Sequence, residues 1–333
     1  GRERVIDVRY DLRSSPSILP LTTRVEPDYA RFCWDGIGHN GTVRAHIPAG
    51  WTSDTTMQPV TITEGTDATT LRAPEGTVPA DFYACTDAFD PASVDRVYIL
   101  GPTEQLVTID GWLSDLGWKD AVSQIVATDL PRLGELIGVP MPAPELRIGE
   151  VARVMPFDTM TDYRPEALTL YIDEDIDRAG VATVALARTW LNPTTIAEPW
   201  LEQGLALWTG LSAVDLPCPD AGSPPTDPPP TLAEWGPPAP ARAEIDRAVL
   251  RWQGRTACSI VDAAADAIGP LAMTEVIVEL LSRPEPADWR AWLEAVEART
   301  PEDEDITPDF AEQPLMANGV VTEAELAEAR SAG

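Results

Sequence analysis

The spacing of apolar residues changes along this chain, and that change restricts the fold more than any other feature. Over residues 1–100, short alternating runs lie between turn clusters, which predicts strands. Beyond residue 180, apolar side chains recur every three or four positions, which predicts packed amphipathic helices. With about 150 residues per domain, the 333 residues favour an α+β protein with a β-rich domain over 1–100 and a mostly helical domain over 101–333.

The same patterns predict individual elements. Strands are expected at 5–12, 42–47, 60–62, 97–100, 146–148 and 168–172, with Asn40-Gly41 as a hairpin turn. Helices are expected at 119–138, 181–191 and 199–211, and the C-terminal helices of 241–330 at 241–252, 257–268, 270–282, 286–298 and 322–330. Residues 217–240 contain ten prolines and predict an extended surface insertion, and 301–314 predicts an acidic loop.

The charge balance argues against whole classes of partner. The chain has 54 acidic against 24 basic residues, for a net charge of −30. A surface this negative repels nucleic-acid phosphates and anionic lipid heads. No run of 18 apolar residues occurs, so no transmembrane segment is expected. The acidity fits adaptation to high external salt as well as the composition of a GC-rich genome.

Four widely spaced cysteines predict two disulfides. They form no CxxC pair and lack zinc-knuckle spacing, so the simplest pairing is Cys33–Cys85 and Cys218–Cys258. The alternative is four buried free thiols. Asn40-Gly41-Thr42 is a candidate glycosylation sequon. These signals favour an extracellular or cell-surface protein, in a mature form whose signal has been removed.

Several short matches to catalytic and cofactor-binding motifs lack the neighbouring residues or secondary structure that those sites require. The GxGxxG at 36–41 is followed by a predicted strand, whereas a dinucleotide site needs a helix there. Asp173, Asp175 and Asp177 begin like a calcium loop, but later positions of that motif are absent. The chain contains only two histidines and no GxSxG. A paired-carboxylate mechanism stays open, and Glu198 and Glu202, one helical turn apart, are the most interesting pair.

Two consecutive helical segments carry the most specific pattern. The first reads Val-Ala-Thr-Val-Ala-Leu-Ala-Arg-Thr-Trp-Leu-Asn over 181–192, and the second reads Pro-Trp-Leu-Glu-Gln-Gly-Leu-Ala-Leu-Trp-Thr-Gly over 199–210. The pair resembles the gluzincin metallopeptidases, the M1 aminopeptidase-like and peptidase MA-like branch, over about residues 40–300. Their pattern is HExxH-x-W on one helix and W-L-x-E-G-x-A on the next. The resemblance implies a thermolysin-like α/β and mostly helical domain over 101–333. The alternative is two core helices that share these residues by coincidence.

The resemblance also implies that the zinc site is degenerate. The first zinc-binding His falls on Val184, the general base Glu on Ala185, the second His on Arg188 and the third ligand on Gln203. No Tyr follows Tyr171, although the family has a catalytic Tyr on a later helix. Trp190, Trp200, Leu201, Gly204 and Ala206 match the pattern.

This residue set predicts no metal and no other cofactor. Val and Ala offer no lone pair, and Arg stays protonated and repels a cation. We expect Arg188 to supply the positive charge that the metal would hold, paired with a nearby carboxylate, of which Glu202 is one candidate, and hydrogen-bonded to Gln203. The alternative is that Arg188 extends into solvent.

The expected function is therefore that of a non-catalytic, gluzincin-like pseudopeptidase. A degenerate cleft formed by Val184, Ala185, Arg188, Trp190, Trp200, Glu202 and Gln203, with Trp208 nearby, would bind a peptide or protein segment or would be filled. One alternative is an active hydrolase with a metal-free carboxylate mechanism, using Glu198, Glu202 or the acids at 173–177. Another is a purely structural surface protein. The ligand and the oligomeric state are left open.

Overall fold

The computed structural model describes residues 23–56, 58–101, 104–142, 144–151, 161–164, 168–173, 180–227, 230–233, 243–300 and 309–332. Within them the protein is α+β, with a β-rich N-terminal part and a helical C-terminal part, which confirms the predicted fold class. The strand predicted at 5–12, residues 174–177 of the acidic segment and residues 234–240 of the insertion lie outside the described residues.

The described chain divides into two compact units. The first comprises residues 23–96 and 111–117, and the second comprises 97–110 and 118–332. Residues 111–117 belong to the first unit although they follow 97–110 of the second unit in the sequence.

Two antiparallel sheets build the first unit. The larger has the order β1 (Thr23–Val25), β2 (Tyr29–Asp35), β7 (Tyr83–Phe89) and β4 (Thr52–Thr56). The smaller has the order β3 (Arg44–Pro48), β6 (Ala68–Arg72) and β5 (Thr61–Thr63). Cys33 and Cys85 lie directly opposite each other on β2 and β7 and form the first predicted disulfide.

The hairpin predicted at Asn40-Gly41 is wrong. Strands β2 and β3 flank this dipeptide but belong to different sheets. The physical reason is that β2 already has a hydrogen-bonded neighbour on each side, β1 and β7, so that it has no edge left for β3. Residues 36–43 instead connect the two sheets.

The second unit contains a five-stranded sheet with the order β11 (Thr161–Arg164), β12 (Thr169–Asp173), β10 (Glu145–Val151), β9 (Leu106–Trp112) and β8 (Val94–Leu100). Helix α1 (Leu116–Ile137) connects β9 to β10, which pair in parallel, as a crossover helix permits. Strand β12 is also parallel to β10, and β11 is antiparallel to β12. Alternate residues of three strands are fully buried in the core: Val107, Ile109, Leu146, Ile148, Leu170 and Ile172.

The remaining helices follow this sheet. They are α2 (Val181–Ala187), α3 (Pro199–Ser212), α4 (Ala243–Ile268), α5 (Pro270–Leu281), α6 (Trp289–Glu297), α7 (Asp309–Ala317) and α8 (Glu323–Ala332). At the start of α8, the Thr322 backbone N–H donates to Glu325 Oε2 over 2.8 Å, and the Glu325 N–H donates to Thr322 Oγ1 over 3.3 Å. These two bonds form a capping box. No described helix is both long and apolar enough to cross a membrane.

Two helix predictions need correction. The helices expected at 241–252 and 257–268 are one continuous helix, α4, because the intervening polar residues are held by tertiary contacts: Gln253 is buried and donates to the Thr231 carbonyl over 2.8 Å. The acidic loop expected over 301–314 is wrong for its last six residues, because α7 begins at Asp309, and residues 301–308 lie outside the described residues.

The described residues of the proline-rich insertion, 217–227 and 230–233, contain no helix or strand. The second predicted disulfide, Cys218–Cys258, joins the start of this segment to α4. Leu232 is fully buried and its N–H donates to the Asn318 carbonyl over 2.9 Å, so that this part of the insertion packs into the unit and does not lie on its surface.

Candidate functional site

Helices α2 and α3 pack in direct backbone contact at Gly210. A Cβ atom added at Gly210 would lie 2.5 Å from Val184 Cα and 2.7 Å from Val184 N, distances that no side chain accommodates. Only glycine permits this approach. The side chains of Val184 and Ala185 are buried in the same region, with 5% and 0% exposure. Two of the predicted site positions are therefore apolar packing positions.

The opposite end of the helix pair is polar. Arg188 follows the last residue of α2, is half-buried and donates a hydrogen bond from Nη2 to Oε1 of Gln203 on α3. Gln203 is buried, so that its side-chain carbonyl oxygen needs a donor inside the protein. The guanidinium is thus directed at α3, as expected from the sequence, and does not extend away from it.

Glu202 shares the electrostatic environment of Arg188. Its carboxyl group is half-buried in the first turn of α3, where burial raises its pKa and the positive charge of Arg188 opposes that rise. Burial is the larger effect, because removing a carboxylate from water disfavours its charged form. We call Arg188, Glu202 and Gln203 the polar cluster.

The three tryptophans expected to line the cleft are core residues. Trp190, Trp200 and Trp208 are at most 5% exposed. The Trp190 indole N–H donates to the Val139 carbonyl over 3.0 Å. Trp200 packs edge-on against Trp292, with 6.1 Å between ring centroids. Large aromatic side chains that are buried with satisfied indole groups stabilise a fold, and they offer little surface to a ligand.

Glu198 and Glu202 have different partners. Glu198 Oε2 accepts a hydrogen bond from the Trp200 indole over 2.7 Å, and the carboxylate also accepts the Trp289 backbone N–H. Burial raises the pKa of Glu198, and the bond from Trp200 partly offsets this rise. Glu198 therefore links α3 to the start of α6, whereas Glu202 faces the charge of Arg188. Of the other acids considered, Asp173 ends β12, and 174–177 lie outside the described residues.

One buried hydrogen bond near α2 was missed by the sequence reasoning. Thr183 Oγ1 donates to Asp129 Oδ2 over 2.6 Å, and Thr128 Oγ1 donates to Asp129 Oδ1 over 2.8 Å. Asp129 is buried on α1 and thereby ties α1 to α2. The sequence did contain a signal for this bond, because Asp129 lies in the apolar stripe of the helix predicted at 119–138. A carboxylate that is buried in such a stripe requires a hydrogen-bond partner.

The donor set around the polar cluster does not suit a metal ion. Among the described residues, no group of three or more His, Cys, Asp or Glu side chains is arranged to hold a metal. Val184 and Ala185 lack donor atoms, Arg188 is cationic, and the Gln203 carbonyl oxygen already accepts from Arg188. Such residues do not fit the zinc ion that the family resemblance implies.

No protein-family model and no curated protein matches the chain. Solved structures with a similar fold include an alanine variant of a two-domain M1 zinc metallopeptidase bound to L-arginine, with 18% identity, a TM-score of 0.46 and coverage of 83% of this chain. Another is an M1 zinc metallopeptidase from Deinococcus radiodurans, with 17% identity, a TM-score of 0.45 and the same coverage. The chain spans 62% of the length of each. A likeness at this level assigns the chain to no family.

Proposed function

We propose that this chain is a gluzincin-like pseudopeptidase without catalytic activity, which acts outside the cell as a peptide- or protein-binding or scaffold protein. The observation that carries the proposal is the hydrogen bond from Arg188 to Gln203. It joins the two positions that the motif pattern assigns to the second and third zinc ligands. A guanidinium bonded to an amide oxygen there replaces metal coordination by an organic cation.

The two remaining positions support the same proposal. Residue 185, where the pattern requires a general base, is an alanine with 0% exposure. A methyl group can neither activate water nor carry a proton. Residue 184 is a valine held against the Gly210 backbone, so that its side chain serves the packing of the helix pair. Restoring the metal chemistry would require replacing several groups at once.

Burial limits how a ligand could reach this region. Of the seven residues expected to form the cleft, Arg188 and Glu202 are half-buried and the other five are buried. This burial supports a cleft that is filled by the protein's own side chains and argues against a deep groove for a peptide. Recognition would then use the polar cluster from the protein surface. The two disulfides are compatible with an extracellular location.

A metal-free hydrolase is the second candidate, and one observation favours it. Burial raises the pKa of both Glu198 and Glu202, and carboxyl groups with raised pKa values are suited to general acid catalysis. Their different partners weigh against joint action on one substrate. The third candidate, a purely structural surface protein, fits the filled cleft equally well.

Zinc analysis together with a peptide and glycoside hydrolysis screen tests the proposal. We expect the purified protein, incubated with zinc and then desalted, to retain far less than one equivalent and to hydrolyse neither substrate class above background. One bound equivalent of zinc would overturn the assignment. Turnover that disappears in Glu202→Gln would establish the hydrolase instead.

A pull-down from the native surface fraction separates a binding role from a structural one. The wild-type protein is compared with Arg188→Ala and with Arg283→Ala, which replaces an exposed arginine after α5. A partner retained by wild type and Arg283→Ala but lost with Arg188→Ala supports binding at the polar cluster. Recovery of no specific partner by any of the three proteins would favour the structural candidate, and equal recovery of one partner by all three would place binding away from the polar cluster.

A further inference from the structure

A fully exposed loop carries the Asn-Gly-Thr sequence. Residues 37–42, between β2 and β3, are all exposed, and they include Asn40 and Thr42. Within the described residues, the Asn40 side chain takes part in no hydrogen bond. Its amide nitrogen and the Thr42 hydroxyl are therefore both accessible to an enzyme that approaches from solvent.

The base of this loop is closed by tight packing. A Cβ atom at Gly36 would lie 2.5 Å from Val43 Cγ2 and 2.7 Å from Pro79 Cβ. Val43, at the other end of the loop, is buried. The Ala80 N–H also donates to the Gly38 carbonyl over 2.9 Å. The loop is therefore anchored at Gly36, Gly38 and Val43, and the exposed Asn40 lies between the last two.

A second Asn-x-Thr sequence provides an internal contrast. Asn192-Pro193-Thr194 has a proline at the middle position, which glycosylation sequons exclude. Asn192 is also 3% exposed, its Nδ2 donates to the Thr189 carbonyl over 3.3 Å, and its Oδ1 accepts the Thr194 N–H over 3.0 Å. The sequence and the structure both exclude modification there, whereas both permit it at Asn40.

We propose that Asn40 is an N-glycosylation site. In the reaction, Asn40 Nδ2 attacks the anomeric carbon of an activated glycosyl donor whose leaving group is a pyrophosphate. A C–N bond forms, the C–O bond to the pyrophosphate breaks, and the amide proton passes to a base of the transferase. No electrons are exchanged with another reactant. The two disulfides support export through an oxidising compartment, where a secreted chain meets such enzymes.

Peptide mass spectrometry of the protein purified from its native cells tests this proposal. We expect the peptide that contains Asn40 to carry a mass excess of at least one sugar residue, and the peptide that contains Asn192 to carry none. Asn40→Gln and Thr42→Val should abolish the excess. Thr42→Ser preserves the sequon and should retain it. Thermal midpoints close to that of wild type would show that these exposed substitutions leave the fold intact.

An unmodified Asn40 peptide throughout the native population would overturn the proposal. A mass excess on that peptide that persists in Asn40→Gln would do the same, because the sugar would then be attached to another residue. Neither result depends on zinc binding or on the polar cluster, so that this inference and the proposed function succeed or fail separately.

Discussion

The two ends of the α2–α3 pair are held together by different forces. At the Gly210 end, the helices meet backbone to backbone at Val184, and both Val184 and Ala185 are buried. At the Arg188 end, a half-buried cation bonds a buried amide beside a carboxyl group. The first end depends on shape and tolerates no added atom. The second depends on charge and should respond to pH and to the removal of one partner.

Adding one methyl group at Gly210 is expected to have the largest effect on stability. In Gly210→Ala the new Cβ would collide with the Val184 backbone, which cannot move aside as a flexible side chain can. We expect a loss of about 2–3 kcal/mol in the free energy of unfolding, as for other overpacked interiors. Urea denaturation of wild type and variant measures it.

Gly134→Ala is the matched control, since it makes the same change inside another helix. At Gly134 on α1 the added Cβ would meet no atom within 4 Å. Here the helix propensity of alanine should dominate and stabilise the protein by about 0.5–1 kcal/mol. Equal shifts for the two variants would show that the close approach at Gly210 does not control stability.

Removing the charge at the other end should have a smaller effect. Arg188→Met keeps a long flexible side chain but leaves the buried Gln203 oxygen without its arginine donor. We expect a loss of about 1–3 kcal/mol, the usual result when a buried acceptor loses its partner. Arg283→Met, at an exposed position, should change stability by no more than about 0.5 kcal/mol. An Arg188→Met variant as stable as the Arg283→Met control would mean that solvent replaces the bond.

The contrast between the ends also shows what the sequence could predict. Residue identities were sufficient to expect that Arg188 pairs with Gln203, because a buried guanidinium needs acceptors and the helix pair offers few. The same identities did not reveal that Trp190 and Trp200 are core residues. The residues that they contact include Val139 and Trp292, which are distant in the chain. Local patterns carry no information about such partners.

Contacts between residues distant in the chain also explain two wrong predictions of secondary structure. The gap predicted at 253–256 lies within the continuous helix α4, where Gln253 finds its hydrogen-bond acceptor at Thr231. The hairpin at Asn40-Gly41 followed from favourable turn chemistry, but β2 was already paired on both sides. In both cases a tertiary contact overrode a correct local preference. The disulfides were predictable because each cross-link follows from an even count and a simple pairing.

The smallest expected effect, and the most specific to the polar end, is the pH dependence of Glu202. Burial raises its pKa in the folded protein above the unfolded value of about 4.3. Below that value both states bind the proton, and Glu202 contributes no pH dependence. As pH rises toward and through the folded pKa, the unfolded state binds fewer protons, so that the contribution of Glu202 to stability falls.

Glu202→Gln removes this titration, so that its stability relative to wild type should increase as pH rises from 4 to 7. Glu294→Gln, at an exposed position on α6, is the matched control. Arg188 opposes the rise in the pKa of Glu202, so that this pKa should rise further in Arg188→Met. The stability of the Arg188→Met, Glu202→Gln double variant relative to Arg188→Met should therefore increase more steeply with pH. Urea denaturation across this pH range measures all of these differences. If Arg188→Met left the slope unchanged, Arg188 and Glu202 would not be electrostatically coupled, and the polar end would be held by the bond to Gln203 without help from the carboxylate.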